Sequence, residues 1–242
     1  MKAHVMQSAA GTHVPLEHLR TIEVPASTDT YTPVPHAEVV DVLLAESVAL
    51  GMQVLDSKYA LTKNGKRMFA SLTLSGSGSG VYEWSLVAIN SYDKSTALKL
   101  GGGLRTIVCC NLSLSAEYEY HHKHTKGVSL DEGAKRVLGG LPNYCTHLER
   151  EMEALKNVSI SRQQGTHFVV EWGRSVNLSG GDIYRILDLW QDPLHEAFRP
   201  YRDQVYGLYQ AVTTRAGGWG DGRKYPALTS LDKAVRGWSW NP

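Results

Sequence analysis

Gln53-Val54-Leu55-Asp56-Ser57-Lys58-Tyr59-Ala60-Leu61 and Arg67-Met68-Phe69-Ala70-Ser71-Leu72-Thr73-Leu74 flank Thr62-Lys63-Asn64-Gly65-Lys66. Asn-Gly is the strongest short-range hairpin signal, because both residues tolerate positive φ. The pattern predicts two antiparallel strands. Beyond a flexible Ser-Gly loop at 75–80, residues 81–90 read as a third strand carrying Trp84, Leu86, Val87 and Ile89. Residues 104–112 read as a fourth. It is apolar on both alternating faces, which predicts a central strand covered on both sides. Gly101-Gly102-Gly103 before it reads as a hinge between strands, because glycines mark turns. Residues 116–124 read as a fifth, wetter strand.

Helical signals lie on either side. Residues 36–52 place Val39, Val42, Leu43 and Leu50 on one face, with Gly51 at the stop position. Ser129-Leu130-Asp131-Glu132 fits a capping box. Leu130, Ala134, Val137 and Leu138 follow at helical spacing. Gly139-Gly140 and Pro142 are expected to break or kink that helix, and Tyr144, Leu148, Met152 and Leu155 mark a second run. Shorter helices are expected at 182–189 and 204–213. The fold class is therefore α+β: an antiparallel β-meander of four to five strands, preceded by one helix and followed by several. Residues 1–34, punctuated by Pro15, Pro25 and Pro33, read as an irregular arm. Residues 35–215 form the single α+β domain, and 216–242 an aromatic and basic tail packed on it.

The 242 residues carry 25 Lys+Arg and 24 Asp+Glu, a formal net charge of +1. A non-specific polyelectrolyte binder would carry a large basic excess. A local basic groove is compatible with this balance. The cysteines are Cys109, Cys110 and Cys145. Their odd count, and adjacent positions that point to opposite strand faces, imply reduced buried thiols and a cytoplasmic protein. No signal-peptide core and no membrane-spanning apolar run is present in the sequence.

Chemistry-bearing constellations are few. His122 and His124 stand at i,i+2 near Glu117 and Glu119, a spacing able to chelate a metal on a strand, but no His-Glu-x-x-His or Cys-x-x-Cys accompanies them. The pair reads as a wet, positive strand end, and no metal or cofactor is expected. Lys94, Lys99, Arg105, His121, His122, Lys123, His124, Lys126 and Arg136 could line a phosphate-binding strip. In the tail, Arg223 and Lys224 alternate with Trp219, Trp238 and Trp240, as in single-strand binders that stack bases on rings. The competing reading clamps these tryptophans onto the core. Asp56-Ser57-Lys58 is faintly similar to metal-nuclease cores, but Asp41, the upstream acid, falls on the first helix. No nucleophile motif stands out, so a non-enzymatic role is expected.

Asn90-Ser91-Tyr92-Asp93-Lys94-Ser95, the glycines, Val108-Cys109-Cys110-Asn111-Leu112-Ser113-Leu114-Ser115 and His124-Thr125 resemble the phage- and plasmid-related "domain of unknown function 932" family. Pro33-Val34-Pro35-His36 and Leu208-Tyr209-Gln210-Ala211-Val212-Thr213 extend the resemblance over roughly residues 33–215. Tyr92 stands where that family usually has His, and Lys123 where Arg is common. The resemblance implies a mobile-element protein and no catalytic residues. The order of helix, meander and long helix is also similar to phage single-strand annealing proteins, in architecture alone. The leading expectation is a homo-oligomeric protein that binds single-stranded DNA in recombination or replication. Two alternatives are a counter-defence protein that binds a host immune factor and a metal-dependent nuclease using Asp56 and Lys58.

Overall fold

The computed structural model describes residues 11–62, 64–76, 82–106, 112–219 and 221–239; in 105–106, 112–119, 221–222, 225–226 and 236–239 it describes the backbone alone. The fold is α+β. The described residues form an antiparallel sheet of six strands, in chain order from edge to edge, and eight helices. The strands are β1 (Thr12–Val14), β2 (Val54–Leu61), β3 (Arg67–Leu74), β4 (Tyr82–Ser91), β5 (Leu98–Thr106) and β6 (Leu112–His122). Two compact units divide the chain. The first holds Ala10–Leu104 and Ser115–Cys145, and the second is built on the chain from Thr146 onward.

The hairpin forms as its turn chemistry dictates. Gly65 has φ +66°. Asn64 Oδ1 accepts from Thr62 Oγ1 at 2.8 Å and from the Lys66 N–H at 3.2 Å. These bonds fix the register Leu61↔Met68, Ala60↔Phe69 and Tyr59↔Ala70. Register then decides which side chains share a face. Met68, Ala70 and Leu72 of β3 lie opposite Asn90, Ala88 and Leu86 of β4. All six are buried. Asn90 is thus a polar residue at the end of an apolar row.

Helix α2 (His36–Ala49) buries Val39, Val40 and Leu43. It ends in a Schellman motif: the Gly51 N–H donates to Val48 O and the Met52 N–H to Ser47 O, both at 2.9 Å. Gly51, with φ +70°, supplies the left-handed residue this needs.

Four expectations are corrected. Gly101-Gly102-Gly103 is not a hinge but lies inside β5. Its function is close approach: a Cβ on Gly102 would stand 2.3 Å from Leu141 Cδ1. The strand expected at 104–112 begins earlier, at Leu98, and residues 107–111, including Cys109 and Cys110, lie outside the described residues. Helix α3 (Leu130–Leu155) runs unbroken through Pro142. Proline forfeits one backbone bond, but Val137, Leu138, Leu141, Tyr144, Cys145 and Leu148 keep a buried stripe on both sides of it. Lastly, the arm expected at 1–34 contains β1 and α1 (Leu16–Thr21), which buries Leu19.

Gly102→Ala is expected to lower the unfolding free energy by about 1–3 kcal/mol, the usual range for overpacking. Combined with Leu141→Ala it should cost less than the sum of the two single changes, because the second removes the clashing methyl. Urea denaturation of the four proteins measures this, and strict additivity would contradict the packing described.

The second unit is helical. It contains α4 (Arg162–Ser175), α5 (Gly180–Gln191), a short 3-10 helix (Glu196–Tyr201), α6 (Val205–Ala216) and α7 (Asp221–Ser239). Ser161 and Gln164 close a reciprocal capping box on α4, and Ser179 caps α5. Helix α6 is buried along most of its length, including Tyr206, Leu208, Tyr209, Ala211 and Val212. Helices α4 and α5 meet at Gly165, where a Cβ would lie 2.1 Å from the Trp190 ring. Among the described residues, no helix is long and apolar enough to cross a membrane.

Candidate functional site

Pieces distant in the sequence meet at one corner of the sheet unit. Asn90 Nδ2 donates to the Val34 carbonyl at 2.7 Å and lies 2.9 Å from His36 Nδ1. His36 Nε2 lies 3.2 Å from the Gly65 carbonyl. A carbonyl only accepts, so Nε2 carries the proton and Nδ1 accepts from Asn90. The left-handed Gly65 of the hairpin turn therefore presents the oxygen that sets the tautomer of the first residue of α2. Burial drives the His36 pKa down to about 4; the Gly65 bond opposes this and His124 adds to it.

Tyr92 closes the same cluster. Its ring stacks on His36 at 3.8 Å between centroids, and its Oη accepts from the His36 N–H at 2.8 Å. Tyr31 Oη donates to the Tyr92 carbonyl at 3.0 Å. The Tyr31 ring meets His124 edge-on at 5.9 Å, while the Thr32 N–H donates to the His124 carbonyl at 3.0 Å. Burial raises the pKa of both tyrosines. It lowers that of His124, against the influence of the Thr96 backbone. Asn90 Oδ1 and both ring nitrogens of His124 are buried with no partner in hydrogen-bond geometry. Three pieces of the family resemblance, at 33–36, 90–95 and 124–125, are thus one packed cluster.

Three exposed lysines lie on the turns that meet at this corner, together with the exposed Asp93. Lys94 is exposed, adopts φ +61° and places Nζ 4.6 Å from the Tyr31 ring centroid. Lys123 and Lys126 are exposed on the turn that carries His124. His121 is exposed and His122 half-buried at the end of β6, where His122 Nδ1 lies 2.5 Å from the Lys123 carbonyl. Tyr31 therefore joins the Lys94 turn to the Lys123–Lys126 turn. Lys99 and Arg136 are exposed on β5 and α3, and Arg105 occupies a β5 position whose side chain lies outside the described atoms. Among the described residues, no group of three or more His, Cys, Asp or Glu is placed to hold a metal. Asp56 pairs with Lys58 at 3.1 Å, and Asp41 pairs with Arg20 at 2.7 Å.

The helical unit holds a second cluster, around Asp182, which the sequence reading placed only as a helix start. Asp182 is buried in the first turn of α5. Its Oδ1 accepts from Arg215 Nη2 at 2.5 Å and Trp219 Nε1 at 3.2 Å. Its Oδ2 accepts from Ser179 Oγ and Arg223 Nη2, both at 2.7 Å. Burial alone would raise the carboxyl pKa, but the Ser179, Arg223 and Trp219 hydrogen bonds and the Arg215 charge hold it well below the carboxylate range. Trp219 is buried, as a residue that clamps the chain onto the core would be. Lys224 is buried as well. Trp238 lies on α7 with its side chain undescribed, and Trp240 lies outside the described residues.

No curated protein and no solved structure matches the chain. A family model does, over residues 25–221, a span that takes in the Pro33–His36 piece, the Asn90–Ser95 turn, His124, and Asp182, Arg215 and Trp219 of the second cluster, while Arg223 lies beyond it. By that match the chain belongs to the family described as domain of unknown function (DUF932).

Proposed function

We propose that the chain is a single-stranded-DNA-binding protein of a phage or mobile element, and that it promotes annealing as a homo-oligomer in the host cytoplasm. The observation that carries this reading is the convergence of two lysine-bearing turns on Tyr31. Lys94, Lys123 and Lys126 belong to segments about 30 residues apart in sequence, yet a shared ring and the Thr32–His124 bond hold them at one end of the sheet. Lys94 does so in a left-handed conformation that costs a non-glycine residue about 1–2 kcal/mol. Such strain persists where the surroundings impose it, often at binding sites. Phosphates are met by the cations, and the sequence-neutral backbone charge accounts for binding without a base code.

The test is an electrophoretic shift with a short single strand, titrated against salt. The wild-type chain should bind at low salt. The Lys94→Ala, Lys123→Ala, Lys126→Ala triple variant should bind more weakly and reduce the log–log salt slope by about 2, since each single-strand phosphate contact contributes roughly 0.7. No binding by the wild type at low salt would end the proposal. An unchanged slope in the triple variant would move the contact away from this corner.

A further inference from the structure

We propose that Arg215 and Arg223 form a phosphate-binding fork on the helical unit. This inference stands on that unit alone and does not rest on the DNA-binding reading. Asp182 is fully occupied: each of its oxygens takes two donors, one of them from an arginine. It uses one Nη2 of each guanidinium, which leaves the other N–H groups of both planar forks uncommitted to it. Among the described residues, Asp182 is the carboxylate that pairs with either arginine. Among the described side chains, two guanidinium charges thus share one carboxylate, which leaves one positive charge over.

A staple between helices would be complete with a single arginine. The second adds like-charge repulsion at short range, which costs free energy unless an anion offsets it. Trp219 makes the arrangement more than a surface pair. Its buried ring lies 6.0 Å from Arg215 Cζ and 4.8 Å from Arg223 Cζ, so it packs against both guanidiniums. Asp182 and Trp219 together pre-orient the forks, so an incoming anion has little ordering cost to meet. The arginine side chains are 32% and 39% exposed, enough to admit a ligand from solvent. Arg215 Nε is buried with no partner, a further sign that this guanidinium is not saturated. Planar, paired donors carrying net positive charge fit a phosphate group, whose several oxygens accept bidentate guanidinium bonds.

That group could be a terminal phosphate monoester or an internal phosphodiester, and the experiment separates them. The full-length chain is titrated with inorganic phosphate at constant ionic strength, with chloride as reference, following tryptophan emission and thermal unfolding. A saturable emission change and a rise in Tm beyond chloride are expected. Arg223→Gln should weaken the response about tenfold or more, as loss of a charge-assisted bond does. Arg223→Lys keeps the charge and the Asp182 partner but loses the fork, so it too should weaken the response while leaving the fold intact by circular dichroism. Competition with 5′-phosphorylated and 5′-hydroxyl oligonucleotides then assigns the source. Preference for the phosphorylated strand indicates a monoester, and equal competition a phosphodiester. The proposal is overturned if phosphate does nothing beyond chloride on the wild type, or if both Arg223 variants respond as the wild type does.

Discussion

Asp182→Ala is expected to lower the unfolding free energy by about 3–5 kcal/mol, the range for removing one partner of a buried ion pair. The carboxylate is buried and accepts four side-chain donors. Its removal leaves the Trp219 N–H inside the core, and both guanidiniums, without the carboxylate they bond in this structure. It also removes the acid from the first turn of α5, where the helix dipole favours a negative group. The arginines do not carry comparable weight singly. Each is about a third exposed, so water screens it once the pair is broken, and Arg223→Gln should cost about 1 kcal/mol or less. Asp182→Asn keeps the shape and one acceptor oxygen and should fall between these values. Urea denaturation at neutral pH measures all three. If Asp182→Ala came within about 1 kcal/mol of wild type, the cluster would be a solvated surface group and not a three-helix anchor.

Sheet and cluster were unequally legible in the sequence. Asn64-Gly65 and the alternating runs around it specify β2 and β3 locally, because turn chemistry sets their register, and the apolar run before Ser91 marks β4. A triple glycine at 101–103 signals freedom in isolation; that Gly102 is there to admit Leu141 depends on a contact 39 residues away. Pro142 is the complementary case: local propensity says break, and the buried stripe on either side of it overrides that. His36 and Asn90 were both in view, one as a helix start and the other as a strand end. Only strand register, which puts Asn90 in line with Ala88 and Leu86, reveals it as a polar group that must find a partner indoors. For Asp182 a usable signal existed. Ser179 followed by an acid three residues later is a capping pattern, but the two arginines that make it more than a cap lie 33 and 41 residues further on.

Acidification from pH 7 to pH 4 is expected to cost the sheet unit about 3 kcal/mol through His36 alone. The native group is buried and neutral, with a pKa near 4, while the unfolded chain titrates near 6.5. Between these values the unfolded state binds the extra proton, so stability is full above pH 6.5 and falls as the pH drops toward 4. The geometry gives the cause. Protonating Nδ1 would set an N–H against the Asn90 amide donor, and that amide cannot turn without abandoning the Val34 carbonyl. His124, whose pKa burial also lowers, adds to the loss in the same direction, whereas Tyr31 and Tyr92 stay neutral throughout because burial raises both. Asp182 belongs to a different window. Its depressed pKa keeps its contribution intact down to the ordinary carboxylate value of 3.8, and that contribution fades only below it. The two effects therefore separate on the pH axis. His36→Gln should start less stable at pH 7, since its side chain cannot reproduce both ring bonds, yet show a flatter dependence between pH 6.5 and 4. The slope that remains should shrink further in the His36→Gln, His124→Gln double variant. Denaturant midpoints at half-unit pH steps decide the matter: a slope unchanged in His36→Gln would remove this histidine from the acid response and leave the buried network without its proposed consequence.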